Sequence, residues 1–185
     1  MGINIETWKL IQRCMPGTVL SLGYPDMGID GTKDAYEAFK NIGGELKCLD
    51  HKDSEFNVNL NDGTWVGQYH LVLDHGTLEH CSRFSTALET AVNSVEVGGY
   101  IIHTDPINMI NHGYFGINPI FWRDFYIQEN GFELKSLRCI LPDFTYAAIN
   151  FGHKDWSCPR DACCQVLAKR VTHCAIKWPI QGRYR

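Results

Sequence analysis

The segment YHLVLDHGTLEHC, residues 69–81, collects carboxylates and imidazoles directly after a hydrophobic run. Its polar side chains Asp74, His75, Glu79 and His80 could bind a metal ion or form the rim of a ligand pocket. In the zinc motif H-x-x-E-H, two histidines four positions apart share one helical face. Here the two histidines are five positions apart with a glycine between them, which misaligns the imidazoles on a helix. The spacing therefore disfavours a metal site and favours a pocket rim.

The elements that must position these groups are apolar strands, each followed by a polar turn. The strands are TVLSL (18–22), ELKCLD (45–50), FNVNL (56–60), YHLVLD (69–74) and YIIHTD (100–105), and the turns are 23–28, 50–51, 61–62, 74–80 and 103–112. Strands that alternate with helices form βαβ units and a parallel sheet. Ligands bind such sheets at the carboxyl ends of the strands, so the pattern predicts an open α/β sandwich with a crevice along that edge.

Helical periodicity marks the segments between these strands. Helices are predicted at the N-terminus (within 1–16, capped by Asn4) and over 31–42, 84–95 and 118–129. Two last strands, at 132–140 and 163–171, follow without a clear helix between them. The sheet is therefore expected to end in an antiparallel edge.

Composition and charge are those of a single globular domain over residues 1–185. Hydrophobic residues make up 44% and charged residues 21%, and the net charge of -4 lacks the basic balance of a nucleic-acid binder. The N-terminus lacks the pattern of a signal peptide, and no apolar run reaches the roughly 18–20 residues of a membrane helix, so no membrane partner is expected.

Eight cysteines are scattered along the chain in the manner of reduced thiols, which predicts a cytoplasmic protein. One dense cluster, Cys158, Cys163 and Cys164, leaves a zinc-stapled module open as a minor alternative. The second C-x2-4-C pair that zinc sites favour is absent, and no metal is predicted.

The glycine turn SLGYPDMG, after the first strand, is a candidate for phosphate or cofactor binding. It offers Gly23 and Gly28 but not the dinucleotide fingerprint G-x-G-x-x-G, and Pro25 removes one backbone N–H donor. A nicotinamide or flavin dinucleotide is therefore not expected. Asp50 ends the second strand 20–30 residues beyond this turn, where a carboxylate accepts both hydroxyls of a ribose; a solvated strand end is the alternative.

Five segments together resemble the class I S-adenosylmethionine-dependent methyltransferases, over roughly residues 17–172. They are TVLSLGYPDMG, ELKCLDH, YHLVLDHGTLEHC, VGGYIIHTDP and NHGYFGINPIFWRDFYIQENGFEL. The resemblance implies a Rossmann-like three-layer α/β sandwich with a mostly parallel, seven-stranded sheet whose last strand is antiparallel. The first motif is degenerate, because Ser21 replaces the usual acid, and Pro25 and Met27 replace later glycines.

The resemblance also implies a cofactor, S-adenosylmethionine, and a set of residues that bind it. Gly23 would pack against its methionine part, Asp50 would hold its ribose, Asn61 and Asp62 would lie near the adenine, and Asp74, His75 and Gly76 near the amino-acid end. The set is completed by Tyr24, Asp26 and His51.

The segment NHGYFGINP is similar to small-molecule and sugar methyltransferases, which implies an acceptor of that class. A hydroxyl acceptor needs a base, and His80 and His112 are the candidates, each with a hydrogen-bonded structural histidine as the alternative. The acceptor is expected to be covered by residues 105–118, residues 142–162 or a second subunit of a homodimer. The altered glycine motif leaves open a non-catalytic protein that binds a partner or a nucleotide.

Overall fold

An eight-stranded sheet forms the centre of the fold in the computed structural model, which describes residues 2–29, 34–50, 55–151 and 158–181. The strands are β1 (Gly17–Leu22), β2 (Gly44–Asp50), β3 (Phe56–Asn57), β4 (Tyr69–His75), β5 (Val95–Pro106), β6 (Phe132–Ile140), β7 (Tyr146–Ala147) and β8 (Cys163–Arg170). The helices are α1 (Ile5–Arg13), α2 (Ala35–Asn41), α3 (Phe84–Asn93) and α4 (Pro119–Phe125), and short 3-10 turns span Leu60–Asp62, Leu78–His80 and Gln128–Asn130.

The strand order is β3-β2-β1-β4-β5-β8-β6-β7, so the chain changes direction across the sheet between β1 and β4. The first five strands in this order are mutually parallel. Leu22, near the end of β1, pairs with Leu49 of β2 on one side and with Asp74 of β4 on the other. The carboxyl ends of these strands therefore meet at one edge of the sheet, where ligands bind in open α/β folds.

The last strand, β8, is antiparallel to both of its neighbours, β5 and β6. The mostly parallel sheet with an antiparallel last strand is thus confirmed, with one addition. The two-residue strand β7 extends the sheet beyond β6 and makes an eighth strand. β8 does not lie at the edge of the sheet. It lies between β5 and β6, and its backbone groups form antiparallel hydrogen-bond ladders with both strands.

Two apolar clusters, one on each face of the sheet, give the three-layer sandwich. Helices α3 and α4 cover one face through Leu88, Trp122 and other buried side chains. Helices α1 and α2 cover the other face, where Ile11 and Phe39 are fully buried. Within the described residues, none of the helices has the length and apolar character needed to cross a membrane.

Several elements are shorter than their sequence patterns indicate. The third strand ends at Asn57 instead of residue 60, and Leu60 begins a 3-10 turn whose capping residue is Asn59. The fourth helix ends at Phe125, because the next residue, Tyr126, leaves helical geometry and turns its hydroxyl towards His103. Tertiary contacts override the local periodicity at both places.

Candidate functional site

A cavity of about 350 Å³ lies at the carboxyl ends of β1 and β2. It is enclosed by the ends of these strands, the segment after β3 and the turn after β4. Its lining residues are Gly23, Leu49, Asp50, Val58, Asn59, Leu60, Asn61, Thr77, His80 and Cys81. Four residues that the sequence predicted for a site, Gly23, Asp50, Asn61 and His80, therefore border one pocket, and its volume suits a small organic ligand.

The floor of the pocket is the turn at Gly23. Its backbone has φ +85°, and its N–H donates a hydrogen bond to the Leu49 carbonyl oxygen at 2.6 Å. A Cβ at this position would lie 3.1 Å from Oγ1 of Thr77, so glycine keeps the floor open. The Asp50 carboxylate borders the same space and accepts a hydrogen bond from the backbone N–H of Tyr24 at 3.0 Å.

The opposite wall is apolar with a polar end. Leu60 is buried and Val58 is half-buried, and both belong to or pack against the core cluster beneath α3. The side chain of Asn61 is held in place because its own Oδ1 accepts a hydrogen bond from the backbone N–H of Arg83 at 2.8 Å. This wall offers apolar surface to a flat ring, with a carboxylate across the cavity at Asp50.

Besides Asp74, five predicted cofactor residues are described by the structure but do not line this cavity. Tyr24 and Asp26 lie on the turn beyond Gly23 and are exposed, and Asp62 is exposed on the 3-10 turn. His75 donates a hydrogen bond from Nε2 to the Gly2 carbonyl oxygen at 2.9 Å, and burial lowers its pKa. Gly76 follows it with φ +78°. His51 lies outside the described residues.

The residues that replace the glycines of the first motif do not line the pocket. Pro25 is buried, and Met27 is buried in the cluster beneath α1 and α2. The backbone of this segment pairs with the N-terminal segment, since Ile3 bridges to Met27 and its N–H donates to the Asp26 carbonyl oxygen at 2.7 Å. Neither substituted residue obstructs the cavity.

Asp74 is fully buried at the end of β4 and does not border the cavity. Its Oδ2 accepts a hydrogen bond from Nδ1 of His103 at 2.7 Å, and Oδ1 accepts from the backbone N–H groups of Thr77 and Leu78, each at 3.2 Å. In the neutral imidazole this leaves Nε2 of His103 to accept from the Tyr126 hydroxyl. Asp74 thus positions the turn that carries His80 and joins it to β5 and the end of α4.

Asp105, on β5, is also fully buried and lies beside this network. Burial raises its pKa well above 3.8, and the negative charges of Asp74 and Glu79 raise it further. The raised pKa favours the protonated form of Asp105, which keeps this interior from holding a further buried charge.

Glu79, His80 and His112 form a second polar cluster at the rim of the cavity. The Nε2 atom of His112 lies 3.4 Å from Oε1 of Glu79, and that of His80 lies 3.9 Å from the same oxygen. The two imidazole rings are 5.4 Å apart. The candidate bases predicted from sequence, 32 positions apart in the chain, are thus neighbours in space.

The carboxyl group of Glu79 is fully buried. Burial, followed by the charge of Asp74, raises the pKa of Glu79 to about 7. Burial and the nearby His80 lower the pKa of His112. Backbone contacts dock the loop of His112 onto the turn, because the Tyr114 N–H donates to the Glu79 carbonyl oxygen at 2.8 Å. Gly113 makes this approach possible, since a Cβ added at this position would lie 2.8 Å from Cγ of Glu79.

No protein-family model matches the sequence, and no curated protein matches it. Among solved structures, the chain is similar to TehB from Haemophilus influenzae, with a TM-score of 0.56 and 12% identity over 91% of this chain. It is also similar to the 1,6-didemethyltoxoflavin-N1-methyltransferase of Burkholderia thailandensis, with a TM-score of 0.56 and 11% identity over 88% of this chain. The chain has the class I methyltransferase fold. It spans 62% of the TehB chain and 74% of the second one.

In this methyltransferase fold the cavity occupies the crevice beside the point where the strand order reverses. The two loops predicted to border an acceptor contact each other: Nδ2 of Asn108 donates to the Pro159 carbonyl oxygen at 2.8 Å, and its Oδ1 accepts from the Ala162 N–H at 3.1 Å. Residues 152–157 of the second loop lie outside the described residues. The loop that carries His112 approaches the cavity through the contact of His112 with His80, which lines it.

The cysteine cluster does not form a metal site within the described residues, where no group of three ligating side chains includes a cysteine. Cys163 and Cys164 are consecutive on β8, so their side chains point to opposite faces of the sheet. Cys158 instead approaches Cys139, with 3.8 Å between the sulfur atoms.

Sequence reasoning missed several residues of this methyltransferase fold that support the site. His103 and Tyr126 form the buried hydrogen-bond network with Asp74, and Asp105 lies beside it, yet His103 and Asp105 were seen only as part of a polar strand end and Tyr126 only as part of a helix. Glu79 was noticed in the polar segment but received no role. A signal was available for His103 and Asp105, since polar side chains inside an apolar strand are uncommon unless they are paired.

Proposed function

We propose that this chain is an S-adenosylmethionine-dependent methyltransferase that acts on a small-molecule or sugar-type acceptor. The observation that carries the proposal is the cavity at the carboxyl ends of β1 and β2, with bare backbone at Gly23 and a carboxylate at Asp50. The fold supports it, because ligands of open α/β sheets bind at this position.

The residues around the cavity fit the nucleoside part of the cofactor. The apolar side chains of Val58 and Leu60 offer a surface for the adenine ring, and Asn61 brings a polar group to its edge. The Asp50 carboxylate has lone pairs for both ribose hydroxyls. The open floor at Gly23 leaves room for the chain that joins the ribose to the sulfur.

When bound, S-adenosylmethionine supplies a methyl group on a positively charged sulfur. The protein's contribution is then to hold acceptor and methyl group in line, and such positioning supplies about 7–11 kcal/mol of the barrier. His80 borders the cavity and His112 lies beside it, which supports a role for either one as the base that takes the proton of a hydroxyl acceptor. A small acceptor is supported by the second structural neighbour, which was solved with 1,6-didemethyltoxoflavin and S-adenosylhomocysteine bound.

The test is calorimetric titration of the full chain with S-adenosylmethionine and S-adenosylhomocysteine. Asp50→Asn keeps the shape of the side chain and removes its charge, so we expect at least a tenfold loss of affinity, about 1.4 kcal/mol, for both ligands. The matched control is Glu45→Gln, an exposed acid at the other end of the same strand, which should bind as the parent does.

Two results would overturn the proposal. If neither ligand binds at high micromolar concentration, S-adenosylmethionine is excluded as the cofactor. Equal affinity for adenosine and S-adenosylmethionine, without methyl transfer to any member of a small-molecule and sugar panel, would favour a non-catalytic nucleotide binder instead.

A further inference from the structure

The Glu79 side chain has an unusual environment for a buried carboxyl group. Both of its oxygen atoms and Nε2 of His112 are buried, and none of them has a hydrogen-bond partner within the described residues. The Glu79–His112 separation of 3.4 Å allows an ion pair but lacks hydrogen-bond alignment. Because buried polar atoms are nearly always satisfied, three such atoms facing one another indicate a ligand that all of them share.

The donor set and its spacing suit a divalent transition metal. Glu79, His80 and His112 each bring one ligand atom within 4.8 Å of the others. With metal–ligand bonds of about 2.0–2.2 Å, two ligands of a tetrahedral ion lie roughly 3.4 Å apart. The Glu79–His112 distance matches this spacing, and the exposed His80, at 3.9 Å from Glu79, needs only a small side-chain movement. Imidazole ligands suit zinc, copper, iron or nickel better than magnesium or calcium.

A second cluster with similar donor atoms differs from the Glu79 cluster in its burial. Asp74, His103 and Asp105 also lie within 4.8 Å of one another, but all three are fully buried. Both ring nitrogens of His103 already have partners, as do both carboxylate oxygens of Asp74. Within that cluster the Asp105 oxygens lack a hydrogen-bond partner, but the three side chains are sealed from solvent, whereas the rim cluster is open to solvent through the exposed His80.

The scaffold holds the ligands of the rim cluster from two directions. Glu79 and His80 are fixed by the 3-10 turn Leu78–His80, whose start is capped by Asp74. His112 comes from the loop after β5, which docks onto the Glu79 backbone through Tyr114. Two ligands on one rigid turn and a third from a docked loop make a three-ligand site that leaves positions open on the His80 side.

We infer that Glu79, His80 and His112 bind a divalent transition-metal ion at the rim of the cavity, with its open positions facing the acceptor. The second part rests on the proposed function, because it assumes that the methyl acceptor enters beside the cofactor. A hydroxyl oxygen of the acceptor would bind the ion, and the ion would lower the pKa of that hydroxyl so that its proton passes to water. His80 and His112 then act as ligands instead of bases.

The bound ion would also determine which acceptors bind with high affinity. With three protein ligands, a tetrahedral ion that expands to five ligands has two positions for the acceptor, and it then binds a pair of neighbouring oxygen atoms better than a single one, since the second bond forms within the same complex. Acceptors with adjacent hydroxyl groups, as in sugars and catechols, are therefore favoured over isolated alcohols.

The test is metal binding by the full chain in the absence of cofactor. After treatment with a chelator and its removal, the protein is titrated with Mn²⁺, Zn²⁺ or Co²⁺ by calorimetry, and Co²⁺ binding is followed by visible absorption. We expect one ion per chain, and a loss of affinity of roughly 100-fold or more in Glu79→Gln and His112→Gln. Glu79→Gln keeps the volume of the side chain, and circular dichroism of each variant reports folding.

The matched control is His173→Gln, an exposed histidine outside the cluster that contacts Gln68. Its affinity for the metal should equal that of the parent. Binding that survives in Glu79→Gln and His112→Gln, or that is weakened equally by His173→Gln, would overturn the site. Because the titration contains no S-adenosylmethionine, a failure of cofactor binding leaves this result intact, and the converse also holds.

Discussion

Nδ1 of His103 donates a hydrogen bond to Oδ2 of Asp74 at 2.7 Å, and both side chains are completely buried. The pair joins neighbouring strands, because Asp74 of β4 lies directly opposite His103 of β5. The same carboxylate caps the turn that carries Glu79 and His80. A contact inside the sheet therefore positions the groups at the rim of the cavity.

Replacing Asp74 should destabilise the whole domain. Asp74→Ala leaves His103 and the N–H groups of Thr77 and Leu78 without their acceptor, and each buried donor left unsatisfied costs about 1–3 kcal/mol. Urea unfolding measures this loss. Asp62→Ala, an exposed aspartate on the 3-10 turn after β3, should stay within about 0.5 kcal/mol of the parent. Similar losses in both variants would contradict the role of Asp74.

The raised pKa of Asp105 predicts a pH dependence of stability. Above pH 3.8 the unfolded chain loses this proton while the folded chain keeps it, so the folded state binds more protons. The free energy of unfolding should then fall by about 1.4 kcal/mol per pH unit until the pH passes the folded-state pKa. The stability from this group is complete below pH 3.8 and is lost as the pH rises.

Asp105→Asn removes this titration and keeps the size of the side chain. Urea unfolding at roughly pH 5 and pH 8 isolates the effect, because the other groups that titrate are shared by both proteins. We expect the stability of the variant relative to the parent to increase with pH. Parallel curves for the two proteins would show that Asp105 ionises normally in the folded state.

Gly113→Ala should disturb the rim of the cavity through sterics. The backbone has φ +104°, and the added Cβ would lie 2.8 Å from Cγ and 2.9 Å from the carbonyl oxygen of Glu79. Left-handed geometry alone costs an alanine about 1–2 kcal/mol. Gly98→Ala is the matched control, since it has φ +91° and nothing within 4 Å of its Cβ.

We expect Gly113→Ala to lose more unfolding free energy than Gly98→Ala, and to weaken metal binding by displacing His112. Chemical unfolding and the Co²⁺ titration measure the two effects. Equal destabilisation by the two alanines, with unchanged metal affinity, would mean that the loop does not depend on its contact with Glu79.

Much of the fold was predictable from local patterns. Apolar runs that alternate with helical periodicity predicted the parallel strands, the layered architecture and the polar edge where Gly23, Asp50 and Asn61 meet. These features follow from side-chain periodicity and from the rule that parallel strands end on the same side. The short third strand was not predictable, because its end depends on the capping of the next turn by Asn59.

The sequence by itself determined which polar groups follow β1, β2, β4 and β5, since hydrophobic periodicity places the ends of these strands to within one residue. Only the tertiary structure decided which of these groups meet. Asp74 turned inward to His103, His75 bonded to the Gly2 carbonyl, and His112 reached Glu79 across 33 positions of chain. Spacing along one segment could rule out a pairing of His75 with His80 on one helical face. It could not reveal a partner on another strand end, because sheet register and loop docking bring distant residues together and leave no local pattern.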